Sequence, residues 1–121
     1  MSLLSAFNNI VINFIEDCII LFPNDKNFGI YKRGIEMVIK YNPRKINTIF
    51  KEYAEIYRNK IKTKDETFFL ENDYKEVEKY NDEEIFNVIK KLKTYWKSIE
   101  SNNKDKIWQY LDIMIELSDK L

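Results

Sequence analysis

The strongest constraint on this chain is a recurrence of apolar residues at three- and four-residue steps, interrupted at regular intervals by helix-breaking or helix-capping residues. From Ser5 to Phe22 the pattern runs through Phe7, Ile10, Val11, Phe14, Ile15, Cys18, Leu21 and Phe22. That spacing places them on one side of a helix. Ile12, Ile19 and Ile20 widen the stripe, so this helix is expected to be central to the fold or to meet a partner. Pro23, Asn24 and Asp25 end it, with Asp25 offered as a cap for the next helix.

A second helix is expected from about Lys26 to Tyr41, with Phe28, Tyr31, Ile35, Val38 and Ile39 inward and Lys32, Arg33, Glu36 and Lys40 outward. Both glycines of the chain, Gly29 and Gly34, fall inside it. A glycine within a helix costs about 1 kcal/mol relative to Ala, so the expectation is close approach of a neighbouring element. Asn42 and Pro43 predict the start of a third helix, because Asn caps well and Pro suits the first turn, where its missing donor has no partner to lose. Its inner stripe is Ile46, Ile49, Phe50, Tyr53, Tyr57 and Ile61, and it fades near Lys62 or Thr63.

Residues 65–84 depart from the helical period. Phe68, Phe69 and Leu70 cluster instead. This predicts an acidic aromatic connector in which Phe68, Phe69 and Tyr74 act as anchors on the core, since exposed rings leave apolar area in water at about 25 cal/mol per Å². Asn81 or Asp82 is expected to cap a fourth helix, with Glu83 and Glu84 in its first turn where carboxylates complement the helix dipole. Ile85, Val88, Ile89, Leu92, Trp96 and Ile99 form its inner face. Asn102 or Asn103 starts a fifth, with Ile107, Trp108, Leu111, Met114, Ile115 and Leu121 inward. The expected fold is therefore all-α, a single domain over residues 1–121 built as a bundle or orthogonal array of about five helices. Eight Phe, eight Tyr and two Trp supply bulky core side chains, Trp96 and Trp108 among them.

Twenty basic and twenty acidic residues cancel, so no whole-molecule field draws the chain to nucleic acid or an anionic membrane. Any such binding has to come from a local patch. The charges are ordered along the chain: residues 26–64 hold eleven basic and three acidic side chains, and residues 65–84 hold nine acidic against Lys75 and Lys79. Mutual neutralisation of these adjacent blocks is the simplest outcome. The sharper alternative is a basic stripe for phosphates or an acidic partner, built from Arg44, Lys45, Lys51, Arg58 and Lys62.

The absence of histidine from the sequence removes Ser-His and Cys-His nucleophilic systems and histidine metal sites. Cys18 lies on an apolar face, which suits a small core side chain with an ordinary or raised pKa. Glu71 with Asp73, or Asp82 to Glu84, could hold a hard cation, but neither has the calcium-loop pattern and the second is accounted for by capping. No catalytic residue, metal or cofactor is expected, and enzymatic activity is not. A lone cysteine and the lack of a signal-peptide pattern favour a reducing intracellular setting. Leu3 to Phe22 is expected not to span a membrane, because Asn8, Asn9, Asn13, Glu16 and Asp17 interrupt it.

At NPRKI (Asn42 to Ile46), Phe50, Tyr53, FFLENDY (Phe68 to Tyr74) and the pair Ile107 and Trp108, the chain resembles uncharacterised small helical proteins of large and giant DNA viruses of algae and protists. The resemblance covers most of the length. It implies the cytoplasm or nucleus of an infected cell, or a virion, and carries no activity with it. The functional expectation is a non-enzymatic helical protein that acts through contacts with a protein partner or its own copies. The alternative is a nucleic-acid-binding accessory protein using the basic face of residues 26–64.

Overall fold

Ser2 opens the first helix: its hydroxyl accepts the Ser5 amide at 3.0 Å, so α1 runs Leu3–Leu21, two residues earlier than the periodicity suggests. The structure, a computed structural model, describes residues 2–71 and 83–121, apart from the side chains of residues 68 and 69. The side chains of the expected anchors Phe68 and Phe69, the expected anchor Tyr74 and the expected caps Asn81 and Asp82 lie outside what is described. Among the described residues the fold is all-helical: α1, α2 (Asn27–Tyr41), α3 (Lys45–Lys62), the single turn α4 (Thr67–Leu70), α5 (Glu84–Tyr95) and α6 (Ser101–Asp119), with a 3₁₀ turn at Trp96–Ser98.

The junction between α2 and α3 differs from the sequence expectation. Asn42 ends α2, donating its amide to the Val38 carbonyl at 2.7 Å, and its own carbonyl accepts from Lys45 at 3.1 Å. Its backbone is thus shared by both helices, and α3 begins after Pro43 and Arg44 rather than at Pro43. Asn8 of α1 secures this turn by donating from Nδ2 to the Pro43 carbonyl at 2.9 Å. α6 likewise starts at Ser101, ahead of Asn102, because the Glu100 carbonyl takes the amides of Asn103 and Lys104. Glu83 stands at the cap position of α5 and only Glu84 lies in its first turn.

α3 ends without a glycine. Lys64 takes a left-handed conformation (φ 54°), which lets the Asp65 amide reach back to the Lys60 carbonyl at 2.8 Å. Asp65 then caps α4, accepting the Thr67 amide at 3.0 Å and its hydroxyl at 2.7 Å, and these bonds hold its carboxyl below the ordinary range.

α1 lies against α6 and α2, α3 against α6, and α2 against α5. One continuous core results, in which the expected inner faces of α3 and α5 are buried throughout and Phe86 joins them. Trp96 and Trp108 meet edge to face with centroids 5.4 Å apart, both inside this core as expected. The two glycines part company. A Cβ on Gly34 would sit 2.7 Å from Cγ of Glu84, so this residue permits the approach of α5, whereas Gly29 faces open space.

Leu3–Leu21 is, by length and composition alone, able to cross a membrane despite its polar interruptions. In this fold it is a core helix, with Phe7, Asn8, Val11, Phe14, Ile15 and Cys18 buried.

Candidate functional site

The five basic residues nominated from the sequence do not form one open stripe. Arg58 makes a bidentate pair with Asp119 of α6, at 2.9 and 2.7 Å. Its guanidinium holds Asp119 below the usual carboxylate range, chiefly through these hydrogen bonds. One turn further, Lys62 pairs with Asp112, and Lys64 reaches toward Asp105 at 3.9 Å. Asp105, Asp112 and Asp119 are spaced seven apart on α6, so they line one edge of that helix. Lys104 of α6 pairs in the opposite sense with Glu66 at 3.3 Å. Lys45 bonds Glu83 at 3.3 Å. Lys51 is exposed at the same seam, close enough to Asp119 to add to the lowering of its pKa. Arg44 is exposed in the turn before α3.

Among the described residues α6 supplies the carboxylates for Arg58, Lys62 and Lys64, while Glu83 of the neighbouring acidic block supplies the one for Lys45. Each of these exposed pairs is worth little alone. Their joint effect is to occupy Arg58 and Lys62. Beneath them, Ser118 donates to Oδ1 of Asn47 at 2.8 Å, a buried polar bond that sets the register of α3 on α6.

A second surface lies on the outward side of α2 and was only half legible beforehand. Ile30, Met37 and Tyr41 are 51%, 62% and 76% exposed. The helical period puts Arg33 and Lys40 outward and leaves these three residues out of the inward set, without marking them as an apolar face of their own. Their common direction could have been found from the spacing of seven and four.

A third feature is a cavity of about 110 Å³ between α1 and α6, lined by Phe14, Cys18, Leu21 and Ile107 with Asp17 and Lys106 at its margin. Tyr110 stacks on Phe14 with centroids 5.3 Å apart and donates its hydroxyl to Asp17. Burial, then that bond, pushes the Tyr110 phenol up to about 12. Burial likewise pushes the Cys18 thiol up to about 12, with Asp17 adding to it. Such a thiol is protonated at neutral pH and is a poor nucleophile. Ile20, 76% exposed, stands beside this cavity.

Asp25 joins α2 to α5. It accepts from the Tyr95 hydroxyl at 2.6 Å, from the Asn27 amide at 2.9 Å and from Lys91 at 3.0 Å. The Tyr95 bond is the main reason its carboxyl sits below the ordinary range. Among the described residues no group of three His, Cys, Asp or Glu side chains is placed to hold a metal ion. No protein-family model, curated protein or solved structure matches this chain.

Proposed function

We propose that this chain is a non-enzymatic helical protein that works by contact with other proteins, through the cleft between α1 and α6. The observation that carries this reading is the pairing of a small apolar cavity with the exposed Ile20 at its rim. A cavity of that size has room for one apolar side chain of a partner, the arrangement of an interface anchor. Lys106 and Asp17 at the margin would orient a polar neighbour of that anchor. The lack of histidine and the protonated, buried Cys18 support the non-enzymatic side. An infected-cell or virion setting rests on the sequence resemblance alone.

Size-exclusion chromatography with light scattering, run beside affinity capture from host cells, tests this. Self-association or a recovered partner that is lost in Ile20→Asp supports the cleft. A strict monomer with no partner, or a partner indifferent to Ile20→Asp, counts against it.

A second reading, nucleic-acid binding by the basic face of residues 26–64, is favoured by the exposed position of Lys26, Arg33, Arg44 and Lys51. It predicts binding to generic DNA or RNA that weakens steeply with salt, and it fails if nothing binds at about 50 mM salt.

A further inference from the structure

The outer face of α2 combines an exposed apolar line with flanking cations. Ile30, Met37 and Tyr41 point within about 20° of a common direction, given 100° per residue. All three are more than half exposed, so they form the crest of a helix and not the floor of a groove. Lys26, Arg33, Lys40 and Arg44 flank this line along one side and just beyond the helix end. Lys26, Arg33 and Arg44 make no ion pair among the described residues, and Lys40 lies over the Tyr41 ring at 5.8 Å. Glu36 is the one carboxylate on α2.

We propose that this face is a peripheral docking surface for a bilayer bearing anionic phospholipids. Shape and charge both point there. A peptide helix or a side-chain anchor is received in a concavity, whereas a convex crest of aliphatic side chains inserts into the soft boundary between headgroups and acyl chains. The cations then extend their apolar stems along that boundary and place their heads at the lipid phosphates. Tyr41 has the amphipathic ring that settles at headgroup depth. A nucleic acid would satisfy the cations but leave Ile30 and Met37 in water, because aliphatic side chains offer bases no stacking platform. The net neutrality of the chain is no obstacle, since the attraction is local and acts within a Debye length of the surface. This inference uses a different face from the α1–α6 cleft and stands or falls separately.

Co-sedimentation of the full chain with phosphatidylcholine vesicles, with and without phosphatidylserine, is the test. The expected result is binding to the phosphatidylserine vesicles alone, weakened by salt. Arg33→Gln and Arg44→Gln should each lower it by roughly fivefold. The double variant Ile30→Asp with Met37→Asp should abolish it while circular dichroism stays unchanged, since both side chains are mostly exposed. Arg58→Gln, whose guanidinium is already paired with Asp119 on the α3–α6 seam, should bind vesicles as the parent does. The proposal is overturned if the parent ignores anionic vesicles. It is equally overturned if the double Asp variant retains full vesicle binding, or if duplex DNA binds more tightly than the vesicles and is indifferent to that variant.

Discussion

The α3–α6 seam and the outer face of α2 are both rich in Lys and Arg, yet they end in opposite electrostatic states. On the seam, α6 brings Asp112 and Asp119 to Lys62 and Arg58, so the cations are paired within the molecule. Along α2 and the turn after it no described carboxylate pairs with Lys26, Arg33 or Arg44, and these residues are exposed near Ile30, Met37 and Tyr41. Basic residues in a sequence are thus only potential binding groups. What decides their availability is the helix packed next to them.

The contrast can be broken outright through the core that both regions share. Phe50, in ring contact with Phe7 at 5.6 Å and Tyr53 at 5.7 Å, is 1% exposed. Phe50→Ala should cost about 3–5 kcal/mol in denaturant unfolding. Met37→Ala on the α2 crest should stay within about 0.5 kcal/mol of the parent.

Acid separates the regions next. Asp25 and Asp119 are held below the ordinary carboxylate range in the fold, so the unfolded chain takes up protons first as pH falls. Their contribution is complete above about pH 5 and is lost as pH drops through the folded values. Thermal melts from neutral to acid pH should show Tm falling only in that lower window. In Asp119→Asn the seam's share of the fall disappears, while the α2 variant Arg33→Gln keeps the parent profile.

Ser118→Ala removes the donor to the buried Oδ1 of Asn47. A loss of about 1–2 kcal/mol is expected by chemical denaturation. Smaller still is the effect at the two glycines of α2. Gly29→Ala should stabilise by about 0.5–1 kcal/mol, because its Cβ meets open space. Gly34→Ala should gain nothing, since its Cβ would force Glu84 to move. The finest discrimination is electrostatic: Asp112→Asn with Asp119→Asn should cost no more stability than the small seam share seen in the acid melts, while releasing Arg58 and Lys62. Filter binding to duplex DNA at low salt should then rise above the parent, and a parent-like value would show that the pairing does not mask those cations.

Much of the fold was legible because apolar period and helix type are the same information. The stripes Ile46, Ile49, Phe50, Tyr53, Tyr57 and Ile61 and Ile85, Val88, Ile89, Leu92, Trp96 and Ile99 are buried as their spacing predicts. Boundaries were less legible where backbone groups replace side-chain caps, as at Asn42, whereas α3 ends at Lys62 as its apolar period predicts, with Lys64 in the left-handed turn that glycine usually takes. Of the candidate contact residues, Arg44 and Lys51 are exposed as expected, while Arg58 and Lys62 are engaged by carboxylates some fifty and sixty residues away in sequence.

The sequence by itself determined that this chain builds helices, which residues line their inner faces, and that histidine chemistry is outside its reach. Those properties depend on local periodicity and on residue type. Only the tertiary structure decided that Gly34 admits α5 while Gly29 admits nothing, that α6 neutralises the basic edge of α3, and that α2 keeps its cations beside an exposed apolar crest. Each of these depends on which helix lies beside which, a relation set by core packing between residues far apart in the chain.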